Sequence, residues 1–142
     1  MEPDEKKMKH KEKDSCAILE DLKESLSEWP GANVYYRKDW ECDYFNVTGK
    51  FFCLSMDNPL HGPIVTIKGL PADNELLREQ YEFVIPGYHV NKTHWNSIKL
   101  SESTFSLEEL RALLKHSYEL VVAGLSKKVR QELSDREVGR EK

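Results

Sequence analysis

The order of residue patterns along the chain predicts an α+β two-layer sandwich, an antiparallel sheet of about five strands packed on helices. Three patterns point there. An amphipathic helical stretch opens the patterned region, two strand pairs joined by turn residues fill the middle, and a long helical stripe closes it. With 142 residues, 39% hydrophobic and 32% charged, the chain has the size and composition of one domain with one core.

The first helix is read from Ser15, a capping residue type, and from Leu19, Leu22, Leu26 and Trp29, which fall on one face of a 3.6-residue period. Pro30-Gly31 stops it. Val34-Tyr35-Tyr36 is a short β-prone run, and Asp43 to Met56 reads as a hairpin turning at Thr48-Gly49-Lys50. Strict alternation puts Phe45 and Val47 on one face and Phe52, Leu54 and Met56 on another. The turn signals Asn58-Pro59 and Gly62-Pro63 precede a third strand, Ile64-Val65-Thr66-Ile67-Lys68.

Asp73 or Asn74 is placed to cap a short helix bearing Leu76, Leu77 and Tyr81. Phe83-Val84-Ile85 follows as a strand, and the segment from His94 to Leu100 pairs with it as a second hairpin. Ser106 and Glu109 have the spacing of a capping box, after which Leu107, Leu110, Leu114, Tyr118, Val121 and Leu125 form an apolar stripe. The stripe fits one long helix or two with a bend near His116-Ser117. Three regions result: a charged, flexible tail at 1–14, a single domain at 15–128 and a charged, fraying extension at 129–142. Dimerisation through Val129 and Leu133 is an alternative use of that extension, but a monomer is the expectation.

Composition narrows the function classes. The longest apolar runs, such as Leu120-Val121-Val122-Ala123, are far short of the roughly 20 residues that cross a bilayer. The charged start lacks the apolar segment of a secretory signal. The three cysteines contain no C-x-x-C pair, which indicates neither a zinc knuckle nor a disulfide framework and suits a reducing cytoplasm. The net charge of −4 and pI near 5.8 require any nucleic-acid site to be local. In the tail, Lys6, Lys7, Lys9, Lys11 and Lys13 are balanced by Glu2, Asp4, Glu5, Glu12 and Asp14, so it reads as a solvated run rather than a basic arm.

The local candidate is Pro86-Gly87-Tyr88-His89-Val90-Asn91-Lys92-Thr93-His94-Trp95, which gathers aromatics, imidazoles, an amide and a lysine around a turn. From Pro86 to Ser101 there are two lysines, two histidines and no acid. This run, with Val47-Thr48-Gly49-Lys50-Phe51-Phe52, Ile67-Lys68 and Ser117-Tyr118-Glu119-Leu120-Val121, resembles the MmcQ/YjbR family of small bacterial proteins. The likeness spans about Ser15 to Lys128; Val90 stands where the family's G-Y-H-M-N-K-x-H-W signature has Met. The resemblance implies a CyaY-like fold with a double-wing motif and a DNA-binding role.

On that reading Lys92, Lys99 and, at the other hairpin tip, Lys50 meet phosphates, Asn91 and Asn96 hydrogen-bond phosphate or a base edge, and Tyr88 or Trp95 stacks on an unpaired base. His89 and His94 add to the same basic element. So few lysines imply weak, salt-sensitive binding. A structural role competes for the same residues, with Trp95 as a core aromatic and the two histidines fastening the loop through backbone carbonyls. His89 and His94 lack a third ligand for a metal, and neither has a nucleophile or carboxylate partner at a catalytic spacing. No cofactor, metal or enzymatic activity is expected. The competing function class is a protein-interaction module, for which Glu20, Asp21, Glu24 and Glu28 against Lys23 supply an acidic helix face.

Overall fold

The computed structural model describes residues 15–141, with side chains up to Asp135. The tail at 1–14 therefore lies outside the described residues, and Ser15, read above as a cap, is itself helical and buried. Helix α1 covers residues 15–25 and tightens into a 3-10 turn at Leu26–Glu28. Four strands follow: β1 (Ala32–Arg37), β2 (Cys42–Val47), β3 (Lys50–Asn58) and β4 (Gly62–Lys68). Then come α2 (Pro71–Gln80), β5 (Val84–Pro86), β6 (Trp95–Lys99), α3 (Leu107–Ala123) and α4 (Lys127–Glu141). Every pairing is antiparallel, in the order β1-β2-β3-β4-β6-β5. The fold is the expected α+β sandwich, with six strands rather than about five.

One face of the sheet packs on the helices. Leu22, Leu26 and Trp29 meet Phe45, Val47, Phe52, Val65 and Ile98 of the sheet and Leu110, Leu114 and Tyr118 of α3, all buried in one cluster. The expected helix stripes are thus the core-facing ones, and the Ser106–Glu109 capping box is formed in both directions. No described helix is long and apolar enough to cross a membrane.

Strict alternation fails in β3. Phe45 pairs with Cys53 and Asn46 with Phe51, which leaves Phe52 as the extra residue of a β-bulge. Phe52 and Cys53 consequently both enter the helix-side core, whereas Leu54 and Met56 pass to the opposite face beside Cys42 and Tyr44. Phe52 therefore shares a face with Phe45 and Val47, not with Leu54 and Met56 as alternation suggested.

The bulge frees the Phe52 carbonyl, and α3 supplies its partner. The buried Ser117 hydroxyl donates to Phe52 C=O, while its oxygen accepts the Lys68 N–H at 2.8 Å. One side chain thereby bridges β3 and β4 just beyond the last pair of their ladder, Cys53–Ile67.

Two other expectations are corrected and one open alternative is settled. Helix α2 has neither Asp73 nor Asn74 as its cap; it starts with Pro71, whose fixed φ suits the first turn, after Leu70, which gives no side-chain cap. Helix α3 runs straight through His116-Ser117 and ends at Gly124. The chain then forms α4, which buries Leu133 and lays Val129 against the core. The two residues proposed for a dimer contact thus pack within their own chain, beyond the point where the sequence placed the end of the domain.

Ser117→Ala should cost about 2–4 kcal/mol in urea unfolding, because it leaves two buried backbone groups without partners. Leu133→Ala should cost about 2 kcal/mol in the same measurement, whereas a frayed extension would leave stability unchanged.

Candidate functional site

The sheet face turned away from the helices holds a second, smaller core of Cys42, Tyr44 and Leu54, with Phe51, Met56 and Val90 packed on it. Val90 comes from the loop between β5 and β6, so that loop folds back over the open face. Gly87 allows the close approach: a Cβ there would lie 2.5 Å from Val90 Cγ2 and 2.9 Å from the Trp95 carbonyl oxygen. The Gly87 N–H also donates to that Trp95 carbonyl at 3.0 Å, and the Tyr88 N–H donates to Ser97 Oγ at 3.0 Å.

The loop consumes much of its own polarity. Asn91 Oδ1 accepts the N–H groups of Thr93 and His94 at 2.9 and 3.2 Å, which makes it a turn-builder. Lys92 Nζ donates to the Gly87 carbonyl at 2.8 Å, and its own carbonyl accepts from Arg78 at 3.0 Å. His89 takes a left-handed φ of 59° and sets its ring 4.1 Å from that of Tyr88.

Between this loop and the β1–β2 turn lies a groove of about 510 Å³, within the range of roughly 300–1,000 Å³ usual for ligand sites. Trp40, Phe51, Tyr88 and Trp95 supply aromatic walls, Cys42, Leu54, Met56 and Val90 an apolar floor, and His89 and Asn91 a polar rim. Phe51 and Trp95 stack with ring centroids 4.9 Å apart, and Trp40 stands edge-on to Phe51 at 5.9 Å. Trp40 remains 44% exposed, so its ring is accessible. Burial pushes the Cys42 thiol up, which keeps the floor uncharged at neutral pH.

Cations border these rings. The Arg37 guanidinium lies 3.8 Å from the Trp40 ring centre and 4.9 Å from that of Tyr44. Its hydrogen bonds to Asp39 raise the guanidinium pKa further and hold that carboxyl below the usual range. Lys68 Nζ sits 5.9 Å from the Trp95 ring. Among the described residues, no carboxylate lines the groove.

The candidates named from sequence divide accordingly. Tyr88, His89, Asn91 and Trp95 meet in the groove, and Trp95 is half-buried on the open face rather than part of the helix-side core. Lys50 lies exposed at the β2–β3 tip, in the wall of an adjacent cavity that also includes Trp95. One assignment is corrected, and a second side chain is found in an ion pair. Asn96 is 2% exposed and donates to the Asn74 carbonyl at 3.1 Å, because its strand position points it at the helices. Lys99 pairs with Glu102 at 3.5 Å, an acid just past the acid-free stretch. His94 is exposed, and its carbonyl accepts the Gly69 N–H.

Sequence reading missed Trp40, Phe51, Arg37 and Lys68. An aromatic at the hairpin tip and one in a polar turn were visible signals, but nothing local showed that they meet. Among the described residues, no three His, Cys, Asp or Glu side chains gather as a metal set.

The YjbR family model matches residues 27–120. The chain belongs to the YjbR family. It is 35% identical over 116 residues to the uncharacterized Escherichia coli protein YbdF, covering 81% of this chain and 93% of that one. It is also 34% identical over 74 residues to the uncharacterized Escherichia coli protein YjbR, covering 52% and 62%. Among solved structures it resembles a Deinococcus radiodurans protein with a DUF419 domain, at 31% identity and a TM-score of 0.71, over 82% of this chain and 87% of that one. In this YjbR-family chain the signature run builds the loop over the open face, and the hairpin match supplies Phe51 beneath it.

Gly87→Ala should detach the loop, because the Trp95 carbonyl in its path is backbone and cannot swing aside. The expected readout is large amide shifts for residues 87–95 in NMR spectra, with the core resonances of α1 and α3 in place.

Proposed function

We propose that this protein is a non-enzymatic nucleic-acid-binding module that takes an unpaired base into the aromatic groove under the 87–94 loop. The observation that carries this reading is the groove itself: four aromatic side chains, no carboxylate among the described residues that line it, and Arg37 and Lys68 at its edge on a chain of net charge −4. Stacking accepts any base and contributes about 1–3 kcal/mol per base, more than a rim hydrogen bond exchanged with water.

The geometry shifts the weight from phosphate contact by the loop to stacking. Lys92 is held back on the Gly87 carbonyl and Lys99 is paired with Glu102, so the first charge is drawn in from the loop tip and the second is offset by an acid. A wing reading duplex DNA needs such charges at its tip. Aromatic stacking needs accessible rings, and Trp40 offers one. Protein binding is the competing reading; Leu70 and Leu76, about half exposed on and beside α2, are the observation that favours it.

The test is anisotropy of labelled single-stranded and duplex DNA at low and physiological salt, with Trp40→Ala and Lys92→Glu. Salt-sensitive binding of the single strand, weakened about tenfold by Trp40→Ala, is the expected result. Lys92→Glu should weaken it also, by inverting a charge and releasing the loop. Absence of binding at low salt, or affinity indifferent to Trp40, would overturn the reading.

A further inference from the structure

The groove has a neighbour. A second cavity, of about 380 Å³, shares two walls with it, Phe51 and Trp95, so the stacked pair forms a ridge between them. Beyond the ridge the walls change character: Lys50 from the β2–β3 tip and Lys68 from the end of β4 face one space, with Val121 and Gly124 of α3 behind. Among the described residues, this cavity too has no carboxylate in its lining. Among the described residues neither lysine makes an ion pair, whereas Lys23, Arg37 and Lys99 all do.

Among the described residues that line the cavity, the end of α3 is what opposes Lys50 and Lys68. A helix C-terminus presents roughly half a negative charge, and here Gly124 N–H and Leu125 N–H already occupy the carbonyls of Val121 and Val122. Two ammonium groups outweigh it. The space between Lys50 and Lys68 therefore favours an anion, next to a groove that favours a planar ring.

We infer that an unpaired strand crosses the Phe51–Trp95 ridge, with one base in the aromatic groove and the adjoining phosphate between Lys50 and Lys68. This rests on the nucleic-acid reading above and adds to it a strand path and a preferred form. In a duplex the base is held inside its stack, so base and phosphate cannot straddle a ring pair in this way. The ligand is single-stranded, and Lys68, which the loop does not contain, belongs to its site.

The experiment is a salt series of anisotropy titrations with labelled oligothymidylate, an abasic oligomer of equal length and a blunt-ended duplex without unpaired bases. The proteins are wild type, Lys50→Gln/Lys68→Gln, Lys68→Arg and Trp40→Ala. Loss of one phosphate contact should reduce the slope of log affinity against log salt by about 0.7 in the double variant, whereas Lys68→Arg, which keeps both cations, should retain the wild-type slope. The abasic oligomer should keep the wild-type slope while binding about tenfold more weakly. If Trp40→Ala weakens binding but the double variant matches wild type in slope and affinity, the phosphate site is wrong and the groove stands. Equal affinity for the blunt-ended duplex would overturn the strand path, and no binding of any probe would overturn the groove reading as well.

Discussion

One hydroxyl holds the geometry on which both faces of the sheet depend. At Phe52 the third strand carries a residue more than its neighbour, and a bulge in the middle of a sheet exposes a carbonyl that the ladder no longer uses. Ser117 takes that carbonyl and accepts the Lys68 amide of the next strand, inside a fully buried site where unmade hydrogen bonds are costly. A serine within a helix normally competes with helical structure. Here its value lies in tying α3 to two strands at once.

The bulge also sets what the open face displays. Phe51 and Leu54 are an odd number of residues apart, so unbroken alternation would put them on opposite sides. The extra residue changes the parity, sending Phe52 and Cys53 to the helices and bringing Phe51, Leu54 and Met56 together on the other side. That face would otherwise be polar and solvated, as one face of many antiparallel sheets is. Instead it carries a small apolar core, part covered by the 87–94 loop and part open as a groove.

Polar residues in the loop mainly build the loop. Asn91 forms its turn, Lys92 closes it on Gly87, and Asn96 anchors the following strand to α2. Removing these groups from the inventory of ligand contacts leaves rings, a few uncommitted cations and no acids. The proposed recognition by stacking and local charge rests on what remains. Among the described residues, carboxylates are absent from the lining of both cavities, and Asp39 nearby is paired with Arg37.

Local sequence determined the elements. The 3.6-residue stripes of α1 and α3, the Ser106–Glu109 box and the Thr48-Gly49 turn are short-range patterns, and each formed where its spacing required. The signature run and the hairpin motif were sufficient to identify the family and to bring Tyr88, His89, Asn91 and Trp95 forward as one cluster. Tertiary structure alone decided the rest: that Phe52 is bulged, that Asn96 is buried and Lys99 paired with Glu102, that α4 returns Leu133 to the core, and that Trp40, Phe51 and Lys68 gather beside the loop. The physical reason is one of range. Helix and turn propensities act over a few residues, whereas side-chain parity after a bulge, the partner of a buried amide and the walls of a groove are set by strands that meet only after the chain has folded.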